Sequence, residues 1–186
     1  MFEPDDIEDA DGNVQRRAEF ESILRFWLDR GVDGFRIDVA DGLVKDFSKP
    51  DAELPYSDQD GVHDIYRSWR KVLDEYRDER VFVGEMWLPD PERFARYLRA
   101  DELHSAFNFD FLGCAWDPRL LRECINRTLE AHALVGAPAT WVLSNHDVTR
   151  HATRFANPPG LGTQIRLAGD RELGLRRARA ASLLML

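Results

Sequence analysis

Cysteine is nearly absent from this sequence: only Cys114 and Cys124 occur in 186 residues. With no further Cys or His at metal-ligand spacing, the pair argues against both a disulfide framework and a zinc site, and reads as two reduced structural thiols. No apolar run approaches the roughly 20 residues that cross a bilayer, so no membrane partner is expected. The head, MFEPDDIEDADGNVQ, lacks the basic and apolar blocks of a signal peptide, which makes a cytoplasmic location the expectation. Positive charge is also short. A formal net charge of -9 disfavours a nucleic-acid partner. Much of that excess sits in Glu3, Asp5, Asp6, Glu8, Asp9 and Asp11, with no basic residue among them. Residues 1–15 therefore read as a solvated, flexible acidic head, and DDIEDADGN lacks the closing glutamate of a calcium loop. Finally, no Gly-rich phosphate turn follows any apolar segment, which weighs against nucleotide binding.

What is present is a regular alternation of apolar patterns. From Arg16 to Arg30, Phe20, Ile23, Leu24, Trp27 and Leu28 form the one-sided stripe of a helix stopped by Gly31. GVDGFRIDVADG follows as a strand, in which Phe35, Ile37 and Val39 alternate with Gly34, Arg36 and Asp38. Val62 to Tyr76 predicts a second strong helix, and VFVGEMW a buried strand. Pro91 suits the first turn of a short helix in DPERFARYLRA. SAFNFDF alternates as a strand, and Pro118 to Leu134 is helical, with Leu120, Leu121, Cys124, Ile125, Leu129 and His132 on one side. TWVLSNHD predicts a further strand, Arg171 to Ala180 a last helix, and SLLML a strand at the chain end. This is an α/β protein with parallel pairing, either an open doubly wound sheet or part of a (β/α)8 barrel. A whole barrel takes roughly 250 residues, more than this chain has.

Polar residues fall repeatedly at the carboxyl ends of these strands: Asp38, then Glu85, then His146 with Asp147. That rim is where α/β active sites assemble. Alone, an Asp after a strand is more often a helix cap than a catalytic group, and Glu85 alone reads as a satisfied buried acid. Together they suggest glycoside hydrolysis, in which two carboxyls about 5–5.5 Å apart serve as nucleophile and as acid and base. Neighbouring strands lie about 4.8 Å apart, the right scale for such a pair. Arg36 projects from the same face as Asp38 and suits holding that carboxylate ionised and in place. Glu85 must instead hold a proton, and Met86 and Trp87 beside it supply apolar walls.

GFRIDVAD, GEMW and SNHD, in this order on successive strands, resemble three signature regions of the α-amylase superfamily, glycoside hydrolase family 13. WLDRGVDGFRID is similar to a phrase common in its α-glucosidase and oligo-1,6-glucosidase members. The resemblance implies Asp38 as nucleophile, Arg36 as its positioning partner and Glu85 as general acid/base. His146 and Asp147 would grip sugar hydroxyls at the cleavage subsite, with Asp147 tightening in the transition state. It implies a retaining hydrolase acting on an α-linked oligosaccharide or glucoside without organic cofactor. Calcium is not implied, because the family's ligands for it lie largely in regions outside this sequence. Val39 resembles members that accept α-1,6 links, and equally suits an ordinary strand valine. Lys45 and Arg150 are solvated charge or sugar contacts; Trp87, Phe109 and Trp116 are core aromatics or sugar platforms.

The family's first signature region and first three strands have no counterpart here. The expected architecture is therefore a partial (β/α)8 TIM barrel over residues 16–186: strands four to seven with their helices and the start of strand eight. A sheet with two unpaired edges should self-associate and be marginally stable and weakly active on its own. The other reading is a non-catalytic or decayed relative serving as an interaction module, against which stands the retention of Asp38 and Glu85.

Overall fold

The computed structural model describes residues 10–48, 50 and 55–186, with side chains from residue 16 onward. Residues 1–9 of the expected acidic head lie outside the described residues; the rest of it belongs to the first helix. In chain order the elements are α1 (Ala10–Leu28), β1 (Gly34–Ile37), α2 (Gly61–Leu73), β2 (Val81–Gly84), α3 (Pro91–Arg96), β3 (Ser105–Asn108), α4 (Phe109–Gly113), α5 (Pro118–Ala133), β4 (Thr140–Trp141), α6 (His151–Phe155) and α7 (Arg171–Leu184). A 3-10 turn spans Ala40–Gly42.

The four strands form one sheet in the order β1-β2-β3-β4, and every pair is parallel. Consecutive strands are neighbours and no strand order reverses, which is the wall of a β/α barrel and not a doubly wound sheet. The fold is thus part of a (β/α)8 barrel.

Local chemistry explains the boundaries. Gly31, at φ +88°, ends the turn that follows α1, a conformation that costs glycine little. Asp90 and Asp117 cap α3 and α5 through their carboxylates, each followed by a proline in the first turn. The Asn108 amide oxygen caps α4 and the Asp170 carboxylate caps α7, each accepting a first-turn N–H.

Strand periodicity divides the sheet into two faces. Phe35, Ile37, Phe82 and Ala106 join the main core with Leu24 and Leu28 of α1, Tyr66, Trp69 and Val72 of α2, and Leu103. Burying side chains of this size stabilises by about 1.5–3 kcal/mol each. The alternate positions Arg36 and Val81 are exposed, and Val83, Ser105 and Phe107 are partly so. Strands β1 and β2 approach closely at Gly34, where any Cβ would meet the Val81 carbonyl.

Four expectations change. SLLML is not the start of an eighth strand: α7 continues to Leu184, with the Ser182 hydroxyl donating to the Ala178 carbonyl. A short apolar run carries no period long enough to tell strand from helix end. SAFNFDF is strand only to Asn108, whose side chain then caps α4 by accepting the Phe111 N–H at 2.8 Å. In α1, Leu24 and Leu28 are buried, while Phe20, Ile23 and Trp27 remain about half exposed. In α5 the buried residues are Thr128, Ala131 and His132, with Leu120 and Leu129 outside. Thr128 tolerates burial because its hydroxyl accepts from Asn108 Nδ2 at 2.9 Å.

Candidate active site

Register brings Asp38 and Glu85 to the ends of neighbouring strands. The β1–β2 ladder pairs Gly34 with Val81 and Ile37 with Gly84, and Asp38 and Glu85 are the residues that follow the last pair. Two backbone bonds hold that step: Glu85 N–H donates to the Ile37 carbonyl at 2.9 Å, and Ala40 N–H donates to the Glu85 carbonyl at 2.7 Å. Residues at equivalent positions of parallel strands project to the same side. Arg36, two residues before Asp38, donates through Nη2 to Asp38 Oδ1 at 2.9 Å.

The two carboxyls sit in opposite environments. The Asp38 side chain is 76% exposed, whereas Glu85 is 6% exposed. Val39 links them: its N–H donates to Glu85 Oε2 at 3.1 Å. Val39 is not the strand residue expected from its alternation. It lies at φ 46° and ψ 53° and is 57% exposed. Left-handed backbone is strained for a β-branched residue, and such strain gathers where a chain must turn sharply at a site. Of the apolar walls expected around Glu85, Met86 belongs to the main core, while Trp87 is half exposed and packs on Phe109 at 4.3 Å between ring centroids.

His146 and Asp147 lie at the same carboxyl end of the sheet, beyond β4. They are not on a strand, because β4 pairs only at Thr140 and Trp141. The segment is bound up locally instead: Ser144 Oγ accepts the His151 N–H at 2.9 Å, and Asp147 N–H donates to Asn145 Oδ1 at 3.0 Å. Short polar side chains compete in this way with ladder bonds. His146 Nε2 and Asp147 Oδ1 are 3.4 Å apart, both exposed. The structure therefore joins Arg36 to Asp38, places Glu85 at the end of the neighbouring strand on the Val39 N–H, and sets His146 beside Asp147 on the same rim.

Other candidates fall differently. Arg150 donates to the Asn145 carbonyl at 3.0 Å and braces the loop, and Lys45 is exposed. Phe109 is buried, and Trp116 packs on Phe155. Burial pushes both cysteine thiols up, Cys124 to about 11, which keeps them protonated near neutral pH.

Sequence reasoning missed the groups that hold the rim. The loop after β1 is clamped to α3 by Arg93, which contacts Asp58 at 2.7 Å and Asp60 at 2.8 Å, while the Tyr97 hydroxyl donates to Asp58 at 2.8 Å. Arg93 stands in a helical pattern where a solvated charge is the default, and Asp58 is 35 residues away. No local pattern announces such a pair.

A wall of consecutive parallel β/α units carrying acids on its carboxyl rim is that of a (β/α)8-barrel protein. Comparison with known sequences gives the particular family: the alpha amylase catalytic domain matches residues 5–168. The chain belongs to that family. Among curated proteins it is similar to the alpha-glucosidase of Candida albicans, 29% identical over 76% of this chain and 29% of the relative. It is also similar to the salivary alpha-glucosidase of Anopheles gambiae, 31% identical over 74% of this chain and 28% of the relative. Among solved structures, an alpha-glucosyl transfer enzyme superposes with a TM-score of 0.63 at 25% identity, over 77% of this chain and 31% of that one. The trehalose-6-phosphate hydrolase of Bacillus licheniformis has the same fold, with a TM-score of 0.65 at 24% identity, over 75% of this chain and 28% of that one. The chain thus spans less than a third of the length of these relatives. Among the described residues, no helix is long and apolar enough to cross a membrane.

Proposed function

We propose that this chain carries the catalytic carboxylates of a retaining glycoside hydrolase acting on α-glucosidic bonds of short oligosaccharides. The reading is supported by the β1–β2 register, which ends one residue before Asp38 and Glu85, and by the bond from Arg36 to Asp38. Double displacement needs its two carboxyls about 5–5.5 Å apart, and adjoining strands supply that spacing.

In the first step Asp38 attacks the anomeric carbon while Glu85 gives its proton to the departing glycosidic oxygen, leaving a glucosyl ester on Asp38. In the second, Glu85 takes a proton from water, which attacks the same carbon and releases the α-configured sugar. Each residue suits its part. Arg36 orients the Asp38 carboxylate through its bond to Oδ1. Glu85 is buried, and the Val39 N–H occupies Oε2, which leaves Oε1 free to pass the proton. His146 and Asp147 bind sugar hydroxyls, Asp147 most tightly as positive charge develops on the ring. The chemistry uses neither an organic cofactor nor a metal. With its thiols free and protonated, the protein fits a reducing cytoplasm.

The test is chemical rescue in the longest natural form of the protein. Glu85→Ala should stall on activated aryl α-glucosides and recover with azide, yielding α-glucosyl azide, while Asp38→Asn should be inactive with or without azide. A β-configured azide product from Glu85→Ala, or an Asp38→Asn variant that turns over normally, would reject the assignment.

A further inference from the structure

Arg154 is a buried cation to which the chemistry above gives no task. It lies in α6, is 6% exposed, and among the described residues forms no ion pair. Burial without a counter-charge draws its pKa down, and a guanidinium in such a place is costly unless its donors are fully used. Here they go to backbone carbonyls in three stretches of chain. Nε donates to Thr149 at 2.9 Å, Nη1 to Leu112 at 2.6 Å, and Nη2 to Leu143.

Those carbonyls have a particular placement. Leu143 and Thr149 bracket the segment that carries His146 and Asp147, and Leu112 lies in α4, directly after β3. The planar fork of five donors can reach all three carbonyls at once, which a lysine ammonium on a single stem cannot. Other ties close the loop from outside: the Thr149 hydroxyl donates to the Ile165 carbonyl at 3.0 Å, and Gln164 Nε2 donates to the Asp147 carbonyl. Arg150 and the Ser144–His151 pair brace the loop within itself, whereas the Arg154 guanidinium ties both its ends to α4.

We infer that Arg154 is a positioning residue, which fixes both ends of the His146–Asp147 loop against the β3 rim and so sets where Asp147 meets the sugar. This rests on the role proposed above for Asp147, and the experiment has two arms so that the two ideas fail separately.

The first arm is hydrogen exchange on the full chain with Arg154→Met and Arg154→Lys. The reporters are the amides of Asp147, Thr149 and Ile165, which are bonded within the loop to Asn145 Oδ1, the Thr163 carbonyl and Thr149 Oγ1. Arg154→Met should speed their exchange about tenfold or more while the amides of β2 keep their rates, with Arg154→Lys in between. Unchanged loop exchange in both variants overturns the proposal. So does failure of both variants to fold, which would make Arg154 a residue of general stability. If only the methionine variant fails to fold, the lysine variant decides.

The second arm is the rate at which 5-fluoro-α-glucosyl fluoride labels Asp38. In Arg154→Lys the saturating rate constant should drop several-fold at an unchanged half-saturating concentration. Simple instability would lower the labelled endpoint and leave the rate constant alone; that pattern counts against positioning. Wild-type protein that takes no label at Asp38 removes the proposed chemistry, and loop exchange then judges Arg154 by itself.

Discussion

His151 shows how much one side chain can reveal about a rim. Its ring nitrogen Nδ1 lies 2.9 Å from Ser144 Oγ, and that hydroxyl already accepts the His151 backbone N–H, so its own hydrogen is left for the ring. The neutral imidazole fits this geometry. Burial first, then the charges of Arg154 and Arg150, lower its pKa, and burial likewise lowers those of His104 and His132. A histidine that protonates less readily when folded stabilises fully above its unfolded value of 6.5, and that stability is lost as pH falls from 6.5 through the folded value. Denaturant titrations should therefore show stability declining below pH 6.5, with a shallower decline in His151→Asn. An identical pH slope in the two proteins would contradict this account of the ring. Asp38 offers the opposite lesson. Its bond to Arg36 is exposed, so the pair adds little stability, and in the proposed chemistry its part is to aim a carboxylate.

At the scale of elements, close approach decides where the acids fall. Gly34 lets β1 lie against β2 with the Val81 carbonyl in the space a Cβ would take, and that contact begins the register ending at Asp38 and Glu85. Gly34→Ala should cost about 1–3 kcal/mol of stability and reduce activity beyond what the lost folded fraction explains, measured by unfolding and by turnover on the same preparation. A fully stable, fully active alanine variant would mean that the register does not depend on this glycine. The same scale shows what could be read beforehand. Helix α2 was legible because its apolar spacing is a local signal, α3 and α5 because each opens on a proline suited to a first turn, β1 because it alternates and β2 because it is a short apolar run. The ends were not. Val39 leaves the strand pattern through a backbone turn that its side chain disfavours, and β4 shortens because Ser144 and Asn145 bond within their own loop. The clamps at Arg93 and Arg154 join residues far apart in sequence, so no window along the chain displays them.

For the molecule as a whole, the sheet is the controlling feature. Its described edges are β1 and β4, and large apolar side chains stand exposed on the two outermost helices: Phe20, Ile23, Phe26 and Trp27 on α1, Leu183 and Leu184 on α7. Unpaired edges and exposed apolar patches favour association. We propose that this chain by itself self-associates through these surfaces, so light scattering across a dilution series should show a mass that falls with concentration. A constant monomer mass at the highest concentration would refute that. The three motif segments share the carboxyl end of this sheet because parallel strands all finish on the same side, so sequence order alone foretold their common rim. The central claim, that Asp38 bonds covalently to the sugar opposite Glu85, is tested most directly by peptide mass spectrometry after reaction with 5-fluoro-α-glucosyl fluoride. The account predicts a single fluoroglucosyl adduct on the peptide bearing Asp38, absent from Asp38→Asn; an adduct on any other residue would contradict it.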